Sequence, residues 1–335
     1  MAEKPKVAIY GLGACAGCDE AIIDLNEAIL LVADAVDIVL WPLAMDFKYS
    51  RIQAMQDGEI ALSILSGFAL SILSGSVRNS DHQEMAELLR KKSQIVLAMG
   101  ACACFGGTPG LANFRGKDDI FNWVYRDAPT VVNPNGSFPQ PETDMNGRKL
   151  TLPSFFEHVF TLDQVIDVDY YLPGCPPPPD LINNAINAVL AGDLPPKGST
   201  LAPRKALCDT CPRNQRKPNR MEIRSFKRIH EVEADPDACF LAAGIICLGP
   251  ATRTGCGETC IRINVPCRGC FGPVSGVVGS GPKFLSTLAS LLVVERDDEI
   301  KETIDSIDDP VGYLYRFAQP SSILGKRSAK KSMED

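Results

Sequence analysis

The first apolar run, Lys6-Val-Ala-Ile-Tyr10, is short and continuous, as a buried strand requires. A glycine-rich loop, G-L-G-A-C-A-G, follows over 11–17. Asp19 and Glu20 then open an amphipathic pattern reaching about Val32, with its acids in the first turn. The runs Asp37 to Leu40, Ile60 to Leu65, Gln94 to Met99 and Asp169 to Leu172 predict further strands. Asp81 to Lys92 predicts a helix with Met85, Leu88 and Leu89 on one face. Strand, glycine loop and helix form the first unit of a doubly wound parallel sheet, so the first half reads as α/β.

The later pattern is more broken. It predicts a short helix from Asp118 to Arg126 and a long Pro-, Asn- and Gly-rich loop from Pro129 to Arg148, suited to facing a partner. A helix opened by Asp180 runs to Ala191, and Gly192 to Pro203 reads as a linker. Asn219 to Glu231 is basic and helix-like, Lys283 to Val294 is an apolar helix, and Glu295 to Asp309 is an acidic, solvated stretch. Ala61-Leu-Ser-Ile-Leu-Ser-Gly67 recurs letter for letter as Ala69 to Gly75. A unit of this size is too short for a solenoid. It reads as a local duplication in which one copy is the strand and the other an insertion.

Composition narrows the function. The chain has 335 residues, 45% of them hydrophobic and 22% charged, and a net charge of −7. That suits a soluble globular protein of two domains and argues against nucleic acid as a partner. The apolar run Phe284 to Val294 is too short to cross a membrane. The start, Met1-Ala-Glu-Lys-Pro-Lys, has neither an apolar core nor a twin arginine, so a cytoplasmic protein is expected. In that compartment metal is a better use of thirteen cysteines than disulfides.

Six of those cysteines lie between Cys239 and Cys270, in a Gly- and Pro-rich stretch with too little apolar sequence to order itself. A bound centre is expected there, and thiolates at these spacings suit zinc or iron–sulfur clusters. Cys15 and Cys18 form C-x-x-C, which also suits a thioredoxin-type redox pair. The same placement recurs, however. Cys102 follows one strand and Cys175 another, so three strands end in cysteine loops. Ends of parallel strands lie side by side, which lets Cys15, Cys18, Cys102 and Cys175 converge on one centre. The glycine spacing is not G-x-G-x-x-G, which argues against a dinucleotide.

C-A-G-C-D-E, G-A-C-A-C-F-G-G and P-G-C-P-P, in that order, resemble the small (gamma) subunit of nickel–iron hydrogenases. L-C-D-T-C-P-R, I-C-L-G-P-A-T and I-R-I-N-V-P-C-R-G-C-F-G-P sharpen the resemblance to the cytoplasmic methyl-viologen-reducing type, which works with heterodisulfide reductase in methanogenesis. The resemblance runs from about Lys6 to Leu324. It implies a flavodoxin-like domain over 1–192, a linker over 193–206 and a smaller, largely irregular and α iron–sulfur domain over 207–335. It also implies three 4Fe-4S clusters. Cys15, Cys18, Cys102 and Cys175 would hold the proximal cluster. Cys256, Cys260, Cys267 and Cys270 would hold the medial one, and Cys208, Cys211, Cys239 and Cys247 the distal one. The chain would relay electrons from dihydrogen oxidation in a separate large subunit, which holds the nickel–iron site. A small iron–sulfur (delta-type) subunit and the heterodisulfide reductase complex would receive them.

Two departures from the membrane-bound uptake family matter. Cys208 stands where that family has histidine, and Cys260 where it commonly has proline and a three-iron cluster. An all-thiolate set favours low potential, since histidine in place of cysteine raises it in Rieske centres. Cys104, two residues past Cys102, is left over and on a strand-like path points away as a buried thiol. His82 and His158 read as surface or satisfied side chains, and His230 as a spare. Glu20 reads as a helix-capping acid, with a proton path as its rival role. The alternative reading is a redox module related to the quinone-site cluster subunit of complex I, not serving a hydrogenase. A structural zinc protein is the third reading.

Overall fold

The computed structural model describes residues 4–57, 70–277, 279–294 and 296–325. β1 (Lys6–Gly11), α1 (Gly17–Ile23), α2 (Ala28–Ala35), β2 (Asp37–Leu40) and α3 (Tyr49–Ala54) open the chain. β3 (Leu70–Ser74), β4 (Val77–Asn79), α4 (Ser80–Lys92), β5 (Ile95–Met99) and α5 (Gly100–Phe105) follow. Next come α6 (Lys117–Asn122), β6 (Glu142–Met145), β7 (Arg148–Thr151), β8 (Phe155–Phe160), β9 (Tyr170–Leu172), α7 (Pro179–Ala191) and β10 (Ser199–Thr200). The last elements are α8 (Leu207–Thr210), α9 (Thr259–Arg262), α10 (Ser280–Leu291), α11 (Asp297–Asp305) and α12 (Pro310–Leu314).

Six strands form one sheet in the order β10-β9-β5-β3-β1-β2, with every pairing parallel. The order reverses between β1 and β3, as in flavodoxin-like folds. Helices cover both faces, and strand alternation sorts the core accordingly. Ala8, Leu73, Val96 and Ala98 pack with Met85, Ala86 and Leu89 of α4 and Ala103 of α5. Val7, Ile9, Ile72, Leu97 and Leu172 pack with Ala21 and Ile22 of α1 and Ile182 and Ile186 of α7. A further core gathers Leu207, Phe226, Phe240, Leu248, Ile261, Phe284 and Leu288 in the C-terminal part. The chain end returns to the first part, where Gln164 Nε2 donates to the Pro320 carbonyl at 2.9 Å.

Local signals explain the element ends. Asn79 caps α4 by accepting from the His82 amide at 2.9 Å, and Arg90, Lys91 and Lys92 sit at its C-terminus, where the helix dipole favours cations. α7 carries Pro179 at its first position and ends on Gly192 at φ 70°.

Several expectations are corrected. The helix expected from Asp19 to Val32 is two helices, broken where Asn26 takes φ 54°. The strand expected at Ile60 to Leu65 lies outside the described residues, and the second repeat copy supplies β3, buried along its length. The loop from Pro129 to Arg148 feeds an exposed hairpin, β6–β7. Asn219 to Glu231 has no helix; its backbone is spent on isolated bridges, Ile223 with Leu292 and Lys227 with Ile245. The acidic stretch after 295 forms α11, whose Thr303 is buried and bonded to the Arg224 carbonyl. Ser199–Thr200, within the expected linker, pairs with β9.

One carboxylate ties the far edge of the sheet together. Asp169 is 6% exposed. It accepts from the Val96 amide at 2.9 Å and from Arg90 at 2.6 Å, and pairs with Lys197 at 2.6 Å. Burial pushes its pKa up, but the bonds from Lys197, Arg90 and Val96 outweigh this and hold it below the usual carboxylate value. Its folded pKa is therefore depressed, so its stabilisation is complete above the unfolded carboxylate pKa and is lost as pH falls through the folded one. Asp169→Asn is expected to cost about 2–3 kcal/mol at neutral pH, below the usual range for a broken buried pair because Lys197 is solvated. Thermal unfolding at pH 7 should show the loss, and the gap between variant and parent should close at the most acidic pH the parent survives. An equal gap at all pH values would contradict it.

Candidate iron–sulfur sites

The proximal cysteines come from three strand ends. Cys15 and Cys18 follow β1, and Cys18 lies in the first turn of α1. Cys102 lies on α5, directly after β5, and Cys175 follows β9. The structure brings these four together. Burial raises the Cys18 thiol pKa far above its ordinary value, and the negative charges of Cys102, Cys175, Cys15 and Asp19 add to it. Burial pushes Cys102 up to about 12, with Cys175 and Cys15 contributing. Backbone makes room for them. A Cβ on Gly100 would lie 2.4 Å from the Cys18 sulfur, and one on Gly107 2.4 Å from the Cys102 sulfur. Both glycines hold positive φ, 88° and 59°.

The distal cysteines also gather. Cys208, Cys211, Cys239 and Cys247 line one cavity with Leu207, Phe240 and Ile261. Burial, then the charges of Cys247, Cys239 and Cys211, push Cys208 up to about 12. Burial pushes Cys247 up to about 11 against hydrogen bonds from the Gly249 and Cys267 amides.

In the medial set, Cys270 is pushed up to about 12 by burial, then by Cys256, Cys175 and Cys260. Cys267 stands at a junction. Its amide donates to the Cys247 sulfur at 3.3 Å. After burial, the charge that most raises its pKa is that of Cys247, with Cys270 a smaller contributor. Cys270 meets the proximal group through the Cys175 charge and amide. Cys270 thus lies within reach of Cys175, and Cys267 of Cys247.

Cys104 stays out of these groups, for a different reason from the one the sequence suggested. It lies on helix α5, not on a strand-like path, and its thiol turns into the core to donate to the Ala98 carbonyl at 3.3 Å. Of the histidines, His82 accepts from the Arg78 amide at 3.3 Å, His158 lies half-buried on β8, and His230 is exposed. Glu20 is exposed, with no side-chain cap bond on α1.

Some polar residues beside the thiols were given no role at the site from sequence, Asp19 being read only as a helix-opening acid. Asp19 is buried and accepts from Trp41 Nε1 at 3.1 Å and Ser74 at 3.4 Å. Glu258, between Cys256 and Cys260, is buried and accepts from Thr210 and Thr254. Arg213 is buried two residues past Cys211. Their proximity to cysteines was visible in the chain, but their burial was not.

Among the described residues, no three His, Cys, Asp or Glu side chains are grouped as a single metal ion requires. The donors of each quartet are all sulfur, which suits a thiophilic centre of the iron–sulfur kind.

The chain is similar in sequence and fold to known proteins. The chain matches the family described as NADH ubiquinone oxidoreductase, 20 Kd subunit, over residues 15–189. It is 37% identical to the iron-sulfur subunit of the F420-non-reducing hydrogenase of Archaeoglobus profundus, covering 97% of this chain and 99% of that protein. It is 34% identical to the corresponding F420-non-reducing hydrogenase subunit of Methanothermobacter thermautotrophicus, covering 99% of both. The [NiFeSe] hydrogenase structure from Desulfovibrio vulgaris Hildenborough shares the fold at a TM-score of 0.50 and 16% identity, over 84% of this chain and 97% of that one. The chain thus belongs to the small (gamma) subunits of the F420-non-reducing hydrogenases, the family its motifs resemble, and is an oxidoreductase subunit of a hydrogenase.

Proposed function

We propose that this chain is the electron-transfer subunit of a cytoplasmic nickel–iron hydrogenase, with three 4Fe-4S sites in a row. The observation that carries the proposal is the contact at each junction, Cys175 with Cys270 and Cys267 with Cys247. Clusters bound there would supply one-electron redox chemistry. Cys15, Cys18, Cys102 and Cys175 hold the proximal group at the sheet's carboxyl edge. Cys256, Cys260, Cys267 and Cys270 hold the medial group, and Cys208, Cys211, Cys239 and Cys247 the distal group. Residues 1–192 form the flavodoxin-like domain, 193–206 the linker and 207–335 the iron–sulfur domain.

The partners follow from where the row ends. Cys15 and Cys175 are exposed, so the proximal end can meet a large subunit that activates dihydrogen. The distal end, at Cys208 and Cys211, faces a small iron–sulfur subunit that feeds heterodisulfide reductase. Buried Asp19, hydrogen-bonded to Trp41 and Ser74, fixes the helix turn that carries Cys18.

Anaerobically purified protein is expected to contain about twelve irons and twelve sulfides per chain. A value near four, or stoichiometric zinc, would contradict the row. Cys260 is the medial ligand most open to test. It is the second residue of α9, where proline is tolerated because no intrahelical amide bond is lost. Cys260→Pro is expected to lower iron from about twelve to about eleven and to give a three-iron paramagnetic signal in the oxidised protein. Full iron content without that signal would remove Cys260 from the ligand set.

A further inference from the structure

Arg213 carries a positive charge that the described residues leave without a counter-charge. It is 4% exposed. Its Nη1 donates to the carbonyls of Asp235 at 2.9 Å and Ala238 at 2.8 Å, and its Nη2 to Asn264 Oδ1 at 2.7 Å. The guanidinium lies over the Phe240 ring at 4.0 Å, and Nε is buried with no partner. Every one of these contacts is to a neutral group. A buried charge met only by neutral acceptors is costly unless an opposite charge lies close by.

We propose that Arg213 is the counter-ion of the Cys208, Cys211, Cys239 and Cys247 quartet and the positioning residue that raises the reduction potential of the group held there. This rests on the reading of the quartet as a cluster site. Two observations point to it. Arg213 lines the same cavity as the four thiols. Its bonds to Asp235 and Ala238 grip the segment that leads into Cys239, so one side chain joins the two halves of the quartet.

The physical consequence is directional. Reduction adds negative charge, and a fixed cation in a poorly solvated cavity stabilises the reduced state more than it would in water. Other charges lie near the quartet. Lys217 lines the same cavity but is exposed, Asp209 sits exposed between Cys208 and Cys211, and Arg216 pairs with Asp237, two residues before Cys239, at 3.0 Å. Buried Glu258 reaches the Cys208–Cys211 turn through Thr210 and pairs with Arg262 at 3.8 Å. Arg213 is the buried cation among them.

The test uses the whole hydrogenase complex, purified anaerobically, with each site's midpoint read by dye-mediated potentiometry and electron paramagnetic resonance. Arg213→Gln is expected to shift electron partition away from the distal site at least tenfold, 59 mV for one electron, with the other two midpoints unmoved. Arg213→Lys keeps the charge but loses the planar fork, and is expected to shift the midpoint by less than half as much. An unmoved distal midpoint in Arg213→Gln would overturn the proposal, as would equal shifts in both variants. If Arg213→Gln loses distal iron, an iron-replete Arg213→Lys with a near-native midpoint supports the proposal, and loss of iron there too overturns it. Parent protein with far fewer than twelve irons would instead sink the cluster reading itself.

Discussion

Buried thiols crowded against one another cannot all ionise unless positive charge joins them. In each of the three groups, desolvation and mutual repulsion push thiol pKa values up, to about 12 at Cys102, Cys208 and Cys270. Thiolate is the form that binds metal. The protein has therefore assembled donors that become stable as anions only around a cationic centre. Around the C-terminal cysteines, where α8 and α9 have four residues each, a bound centre would supply the ordering that secondary structure supplies elsewhere.

The N-terminal part solves the problem differently. A parallel sheet packed on both faces fixes the carboxyl ends of β1, β5 and β9 next to one another, and the cysteine loops follow directly from those ends. Asp169 locks β9 against β5 through the Val96 amide and Arg90, so the strand that delivers Cys175 is held from its opposite end. Rigid strands lead into the loops that carry Cys15, Cys18, Cys102 and Cys175. Loops pinned by Arg213, Thr210 and Thr254 carry C-terminal cysteines.

How far the sequence was legible follows from the same division. Strands β1, β2, β5 and β9 were readable as short apolar runs, and cysteines follow three of them. Strand β10, Ser199–Thr200, has no apolar run and was read as linker. The break at Asn26 was not readable, because apolar spacing continues across it and only the backbone angle changes. The segment from Asn219 to Glu231 looked helical by charge and composition, but its backbone pairs with distant residues that no local pattern announces. Cys104 is the buried thiol expected, but not by the expected geometry. Helix α5, rather than strand alternation, turns it inward. The placement of Cys267 against Cys247 was invisible in the chain, since it depends on how two loops fold over each other.

Three centres in a row, with Cys267 serving the middle one, is the proposal most open to direct test. Diffraction from anaerobically grown crystals, measured at the iron absorption edge, tests this directly. It should show three compact iron densities per chain, one within each cysteine quartet, with Cys267 reaching the density between the other two. Fewer than three densities, or Cys267 bound to the same density as Cys247, would contradict it.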